Sequence, residues 1–167
     1  MNKDKKFYYT QKFDEYYTSV RNDVIKLVPG KVSKVLDLGC GDGSTLRKMK
    51  AIGIADEIVG VDMNVEASGL DNFISGDLEN MVIPYPDKYF DLIILADILE
   101  HFTDPWQFLN KRKHLLKTGG FIITSIPNIR EKRTLQSIIF KGDFKYADAG
   151  ILDKTHLRFF CKKIAKM

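Results

Sequence analysis

The stretch Lys34-Val35-Leu36-Asp37-Leu38-Gly39-Cys40-Gly41-Asp42-Gly43 limits what this chain can become more than any other. Val35, Leu36 and Leu38 read as a buried strand running directly into a glycine-rich turn, and Ser44-Thr45-Leu46-Arg47-Lys48-Met49 starts a helix behind it. Glycine suits such a turn because positive φ costs it nothing and the missing Cβ lets a ligand touch the backbone. Ser44 or Asp42 can cap the helix, whose first amides then face whatever lies above the turn. The spacing narrows the ligand. A dinucleotide site asks for G-x-G-x-x-G, but counting from Gly39 the sixth residue is Ser44 and the third glycine, Gly43, falls one position early. Asp37, ahead of the first glycine, would repel a pyrophosphate; it suits a ligand that carries an ammonium group.

The chain has 167 residues, the length of one domain, and its 44% hydrophobic and 29% charged content is that of an ordinary globular protein. Its formal charge of +4 is spread over short basic runs (Lys3, Lys5, Lys6; Lys111, Arg112, Lys113; Arg130, Lys132, Arg133). Such runs are read as solvated faces, and nucleic acid is not the expected partner. Cys40 and Cys161 stand far apart without metal-ligand spacing, which fits a reducing cytoplasm. No apolar run approaches the roughly 20 residues that span a bilayer, and Met1 to Lys6 leads into no signal-peptide core, so membrane insertion is not expected.

Phe13, Tyr16, Tyr17, Val20, Val24, Leu27 and Val28 recur at helical steps and predict a helix over 10–28, stopped by Pro29-Gly30. After the glycine turn, a helix to about Ala51 leads to a second strand, Glu57-Ile58-Val59-Gly60-Val61-Asp62. Asp62 lies about twenty residues past the turn, where a strand-end carboxylate accepts hydrogen bonds from both ribose hydroxyls. A third strand is expected over 72–78, then a proline-containing loop from Met81 to Asp87. Tyr89 to Ala96 is the most hydrophobic run and predicts a strand buried on both faces, with Asp97-Ile98-Leu99-Glu100-His101-Phe102 at its carboxyl end. Asp104-Pro105 starts a helix from Trp106 to Lys117, closed by Thr118-Gly119-Gly120, and Phe121 to Pro127 is the fifth strand. Five apolar strands joined by four helical crossovers give an α/β fold, a Rossmann-like doubly wound parallel sheet.

An acid followed by G-x-G-x-G resembles the first motif of class I S-adenosylmethionine-dependent methyltransferases. The order from Asp37 to Pro127 matches that superfamily, including "FDLIILADILEHF" and "LLKTGGFIITSIPN". The nearest likeness is to its small-molecule branch, and Thr155-His156-Leu157-Arg158-Phe159-Phe160 resembles a motif of surface-glycan-associated members. The resemblance implies S-adenosylmethionine as cofactor and S-adenosylhomocysteine as product. Asp37, Gly39, Cys40, Gly41 and Gly43 would hold the methionine end, Asp62 with Met63 the ribose side, Asp77 and Leu78 the adenine, and Leu95 and Ala96 the sulfonium side. It also implies a lid helix at 10–28 with Tyr16 or Tyr17 closing over the cofactor, a core over 32–127 and a substrate wall over 128–160.

The superfamily order continues with a further helix and two more strands, and this sequence stops at Cys161 to Met167, about where that helix begins. A fragment is the expectation, with a homodimer over the apolar edge of the fifth strand, or the loop folded across it, as alternatives. Methyl transfer needs in-line positioning and, for a hydroxyl, a base. His101 and His156 are the candidate catalytic bases, with a structural role for His101 as its rival. Alternatively, Asp97, Glu100, His101 and His156 resemble the magnesium site of small-RNA and some quinone O-methyltransferases. The expected activity is methylation of a small-molecule or sugar acceptor, on a hydroxyl oxygen, without a metal. A cofactor-binding or partner-binding relative without turnover is the second reading. An NAD-dependent oxidoreductase is disfavoured by Asp37 and Ser44.

Overall fold

In a computed structural model, which describes residues 19–63 and 66–162, alternation along the apolar strands decides the architecture. Val35, Ile58, Leu92 and Ile94 point into one core, while Leu36, Leu38, Val59, Val61, Ile93 and Leu95 point into another. A strand can be apolar on both faces only if both faces are covered, as in a parallel sheet flanked by helices. The strands are β1 (Val32–Leu38), β2 (Ala55–Asp62), β3 (Asn72–Ser75), β4 (Phe90–Ala96) and β5 (Leu116–Ser125), with helices α1 (Asn22–Ile25), α2 (Ser44–Ala51), α3 (Pro105–Arg112) and α4 (Lys132–Lys141). All strand pairs are parallel, in the order β3-β2-β1-β4-β5. Leu46 and Met49 of α2 pack in the first core; Phe108 of α3 packs in the second. The order reverses beside β1, so its carboxyl end opens onto the crevice where such sheets bind ligands.

Several boundaries differ from the sequence expectation, each for a local reason. Residues 10–18 of the expected N-terminal helix, with Tyr16 and Tyr17, lie outside the described residues, and the remainder is helical only over α1. β3 stops at Ser75, because Asp77 takes the Glu79 amide (3.1 Å) and the Asn80 side chain (2.9 Å) into a turn. Helices occupy the crossovers β1–β2 and β4–β5; among the described residues those on either side of β3 carry none. α3 begins as expected, with Asp104 capping the Gln107 amide at 2.9 Å and Pro105 in its first turn, but gives way after Arg112 to a 3-10 turn, Lys113–Leu115. Thr118-Gly119-Gly120 is not its stop signal. It is a bulge inside β5, whose register on β4 jumps from Phe90↔Leu116 to Leu92↔Phe121. Glycine is required at 120, since a Cβ would lie 2.8 Å from the Asp91 carbonyl oxygen.

Gly60 shows how closely β2 approaches the glycine turn. It pairs with Asp37 in register, and a Cβ there would come within 2.6 Å of both Cys40 Sγ and a Leu70 methyl. Gly60→Ala is therefore expected to lower stability by about 1–3 kcal/mol through overpacking. Urea denaturation of the two proteins checks this; an unchanged midpoint would mean that the turn gives way freely.

Candidate functional site

The turn after β1 takes its shape from three glycines with left-handed backbone: φ is +86° at Gly39, +55° at Gly41 and +81° at Gly43. These angles strain any residue with a Cβ, which is why the sequence repeats glycine at every second position here. The amides of Gly39 and Cys40 donate to the Val61 carbonyl at 2.8 and 3.2 Å, tying the turn to β2. The Gly41 amide donates to Asp62 Oδ2 at 3.0 Å. Asp42 accepts from the Ser44 amide at 2.9 Å, and Arg47 of α2 clamps Asp42 and the Ser44 hydroxyl at 3.0 and 2.9 Å.

Beneath the turn lies Asp37, only 4% exposed, with Oδ1 fully buried and unpartnered among the described residues. Burial, then the charge of Asp62, pushes its carboxyl up to about 7, and the Arg21 guanidinium pulls it part of the way back. A buried acid without a donor is costly. It is the atom in this crevice most in need of a cationic partner. Burial, followed by the charges of Asp37 and Asp62, also holds the Cys40 thiol far above its ordinary range, so Cys40 fills space as an inert thiol.

Asp62 is buried at the end of β2, and Met63 beside it is half-buried. Leu78 is buried and its carbonyl accepts from Arg112 at 2.8 Å. At the end of β4, Leu95 is buried and Ala96 half-buried. Asp97 follows with φ +52°, a left-handed residue other than glycine of the kind that clusters at functional sites. Its carboxylate is held by Arg21 and the Ser125 hydroxyl, and of the four residues in the alternative metal set the structure brings together Glu100, His101 and His156. Sequence reasoning missed Arg21: it sits ahead of the core, and no spacing ties it to the strand ends.

Glu100, His101 and His156 form a separate buried group, one ligating atom of each lying within 4.8 Å of the others. His101 Nδ1 is 3.1 Å from the Thr155 carbonyl and His156 Nδ1 is 3.0 Å from the Ile151 carbonyl. A carbonyl only accepts, so both imidazoles carry a proton on Nδ1. His156 Nε2 lies 3.8 Å from Glu100 Oε1, and the rings meet edge to face at 4.8 Å. The loop is pinned over this group because the amides of Leu157 and Arg158 both donate to the Glu100 carbonyl, at 2.8 and 3.1 Å. Earlier in the same connection stands α4, with Ile139 and Phe140 exposed. Among the described residues, no helix is long and apolar enough to cross a membrane.

A parallel sheet of this order, with a glycine turn and two acids at its central strand ends, defines the Rossmann-like class of nucleoside-cofactor folds. The sequence profile of the methyltransferase domain matches residues 11–161, so the chain belongs to that family. It is 30% identical over 117 residues to the ubiquinone biosynthesis O-methyltransferase of Proteus mirabilis, covering 64% of this chain and 46% of that one. Against the enzyme of the same name from Dinoroseobacter shibae it is 30% identical over 122 residues, 66% and 48% of the two chains. The chain spans about half the length of these curated relatives. Among solved structures it resembles a SAM-dependent methyltransferase of Archaeoglobus fulgidus, with TM-score 0.63, 25% identity and coverage of 91% of this chain and 68% of that one. A similar enzyme of Mesorhizobium loti gives TM-score 0.55 at 23% identity, covering 70% and 55%. Membership of this family implies S-adenosylmethionine as the cofactor.

Asp37 carries a pH signature. Its unfolded carboxyl titrates near ~3.9 and its folded one near 7, so the folded state holds the extra proton between those values. Its contribution to stability is complete below the unfolded pKa and is lost as pH rises through the folded one. Asp37→Asn should flatten this decline, gaining on the wild type as melting temperature is followed from pH 4 to pH 8. Parallel curves would show that Asp37 does not titrate as its surroundings dictate.

Proposed function

We propose that this chain transfers the methyl group of S-adenosylmethionine to a hydroxyl oxygen of a small-molecule or glycan-precursor acceptor. The observation that carries the reading is the buried, unpartnered Oδ1 of Asp37 beneath a turn of left-handed glycines. These residues fit the cofactor. Asp37 offers a carboxylate to the ammonium of the amino-acid tail, the glycines leave room for that tail against bare backbone, and Asp62 accepts from the ribose hydroxyls. Asp77 and Leu78 take the adenine side, although Asp77 also serves its own turn. Leu95 and Ala96 line the sulfonium side.

When bound, the cofactor supplies an electrophilic methyl group on a sulfonium that leaves as a neutral thioether. The protein's part is orientation and water exclusion, with the acceptor held in line at the carboxyl end of β4. The loop over 151–160 walls that side. His101 and His156 are the candidate bases there for the hydroxyl proton, each through Nε2 because Nδ1 is held by a carbonyl. The O-directed chemistry draws support from the ubiquinone-pathway relatives, whose names specify O-methylation.

A second reading is favoured by the convergence of Glu100, His101 and His156. Two imidazoles with Nδ1 anchored on backbone carbonyls, facing one carboxylate, are arranged as metal ligands are. Such a set suits manganese, iron or zinc better than magnesium, which prefers all-oxygen sites. A metal held there would supply Lewis-acid polarisation of an acceptor oxygen. Without it, the same group is a structural tie for the loop.

Calorimetry with S-adenosylhomocysteine tests the first claim. Saturable binding is expected, weakened about tenfold or more in Asp62→Ala through loss of charge-assisted hydrogen bonds. No binding would overturn the cofactor site. Methyl transfer to a panel of catechols and sugars, with and without chelator, then separates the chemistries. Turnover indifferent to chelator supports the histidine base, and turnover lost and restored by a divalent cation supports the metal. Binding without turnover on any acceptor would leave a cofactor-binding relative.

A further inference from the structure

We infer that Arg112 is a positioning residue for cofactor recognition, its buried guanidinium setting the turn over 77–81 in the shape that reads adenine. This rests on the cofactor reading above, which gives the adenine side to Asp77 and Leu78. The edge of an adenine offers an amino donor beside a ring-nitrogen acceptor. Its match is a carboxylate oxygen next to a main-chain N–H. Asp77 carries the first, and the Leu78 amide, which donates to no acceptor among the described residues, carries the second. Reading the base then depends on how firmly that pair is held.

The first half of the turn holds itself. The Asp77 carbonyl accepts from the Asn80 and Met81 amides at 3.1 and 2.8 Å, and its carboxylate takes the Glu79 amide at 3.1 Å. The carbonyls of Leu78 and Met81 depend instead on α3, for Arg112 Nη2 donates to both at 2.8 Å. A terminal guanidinium nitrogen carries two N–H groups, one for each carbonyl. Fixing Leu78 by its carbonyl limits where the amide on the other side of its Cα can point. A second tie comes from just ahead of α3, where the Thr103 amide donates to Glu79 Oε1 at 2.8 Å.

Arg112 is a costly residue to keep in this place. It is 8% exposed, its guanidinium lies 5.0 Å from the centre of the Phe108 ring, and its Nε is buried without an acceptor among the described residues. Burial lowers its pKa from the ordinary arginine value, and no carboxylate among the described residues pairs with it to offset this. A long apolar side chain would fill the same space without a buried, unpaired cation. What that side chain would lack is the pair of donors to Leu78 and Met81. Those donors set the adenine side as supporting groups set a preorganised binding residue.

The test is calorimetry on the full chain with S-adenosylhomocysteine and with S-inosylhomocysteine, whose hypoxanthine presents an acceptor where adenine has its donor and a donor where adenine has its acceptor. Wild type should bind the adenine ligand about tenfold or more tightly than the hypoxanthine one. Arg112→Met keeps a long apolar stem over Phe108 and removes the donors. It should lose about tenfold in affinity for S-adenosylhomocysteine and none for S-inosylhomocysteine, so that the ratio falls toward one. A purely structural role would weaken both ligands alike, and a wild-type ratio in Arg112→Met overturns the inference. If that variant does not fold, Arg112→Lys decides. Its ammonium keeps the charge but not the planar reach to both carbonyls, so its ratio should fall below that of wild type, and an unchanged ratio overturns the inference. A wild type that binds the two ligands alike removes the adenine reading of Asp77 and Leu78, and the inference with it. A wild type that distinguishes them, with variants that do so equally well, loses only the role of Arg112.

Discussion

A carboxyl group buried at the end of a parallel strand, one oxygen of it met by no donor among the described residues, is the constraint around which this molecule is arranged. Asp37 sits in β1 between β2 and β4, flanked in register by Gly60 and Ile94. Its neighbours are apolar side chains and a second acid, so the surroundings favour the protonated form. A fold selected for stability alone would place an apolar residue there. The acid remains costly unless a cation arrives, and the left-handed glycine turn above it leaves the space for one to do so.

The rest of the structure keeps that acid in position and controls access to it. Two apolar layers fix β1, β2 and β4 rigidly, so that the strand ends present Asp37, Asp62 and Asp97 at one rim. Two segments then close over the rim from outside the sheet. Arg21 ties the N-terminal segment to Asp97 and Ser125, and the loop after β5 is tied to the turn after β4 through the Glu100 carbonyl and the Nδ1 proton of His101. Both ties are polar and converge on residues 97–101. Binding energy at either side can therefore be felt by the same short stretch, which is where the proposed acceptor would lie.

The sheet and the glycine turn were legible in the sequence because they depend on local signals: apolar runs of strand length, glycine where φ must be positive, and an acid at each strand end. What was misread depends on longer-range terms. Thr118-Gly119-Gly120 carries the composition of a helix stop, yet pairing with β4 draws it into β5 as a bulge, with Gly120 needed for close approach to Asp91. Asp77 reads as a strand end, but its side chain can bond the next turn and does so. Asp97 looks like a ligand partner of Glu100 only through the resemblance to a magnesium site. The chain there is instead left-handed and then 3-10, which turns Asp97 toward Arg21, a residue 76 positions away. No spacing rule announces that contact. Glu100 and His101 were legible as neighbours from their adjacency, and His156 joined them only through the family resemblance, because its approach depends on how the loop over 151–160 folds back.

The most direct test of the central claim is a crystal structure of the chain with S-adenosylhomocysteine. The account predicts the tail's ammonium within hydrogen-bonding distance of Asp37 Oδ1, against the backbone of Gly39 to Gly43, with the ribose hydroxyls on Asp62. A ligand bound elsewhere, or side chains filling the space beneath the glycine turn, would contradict it.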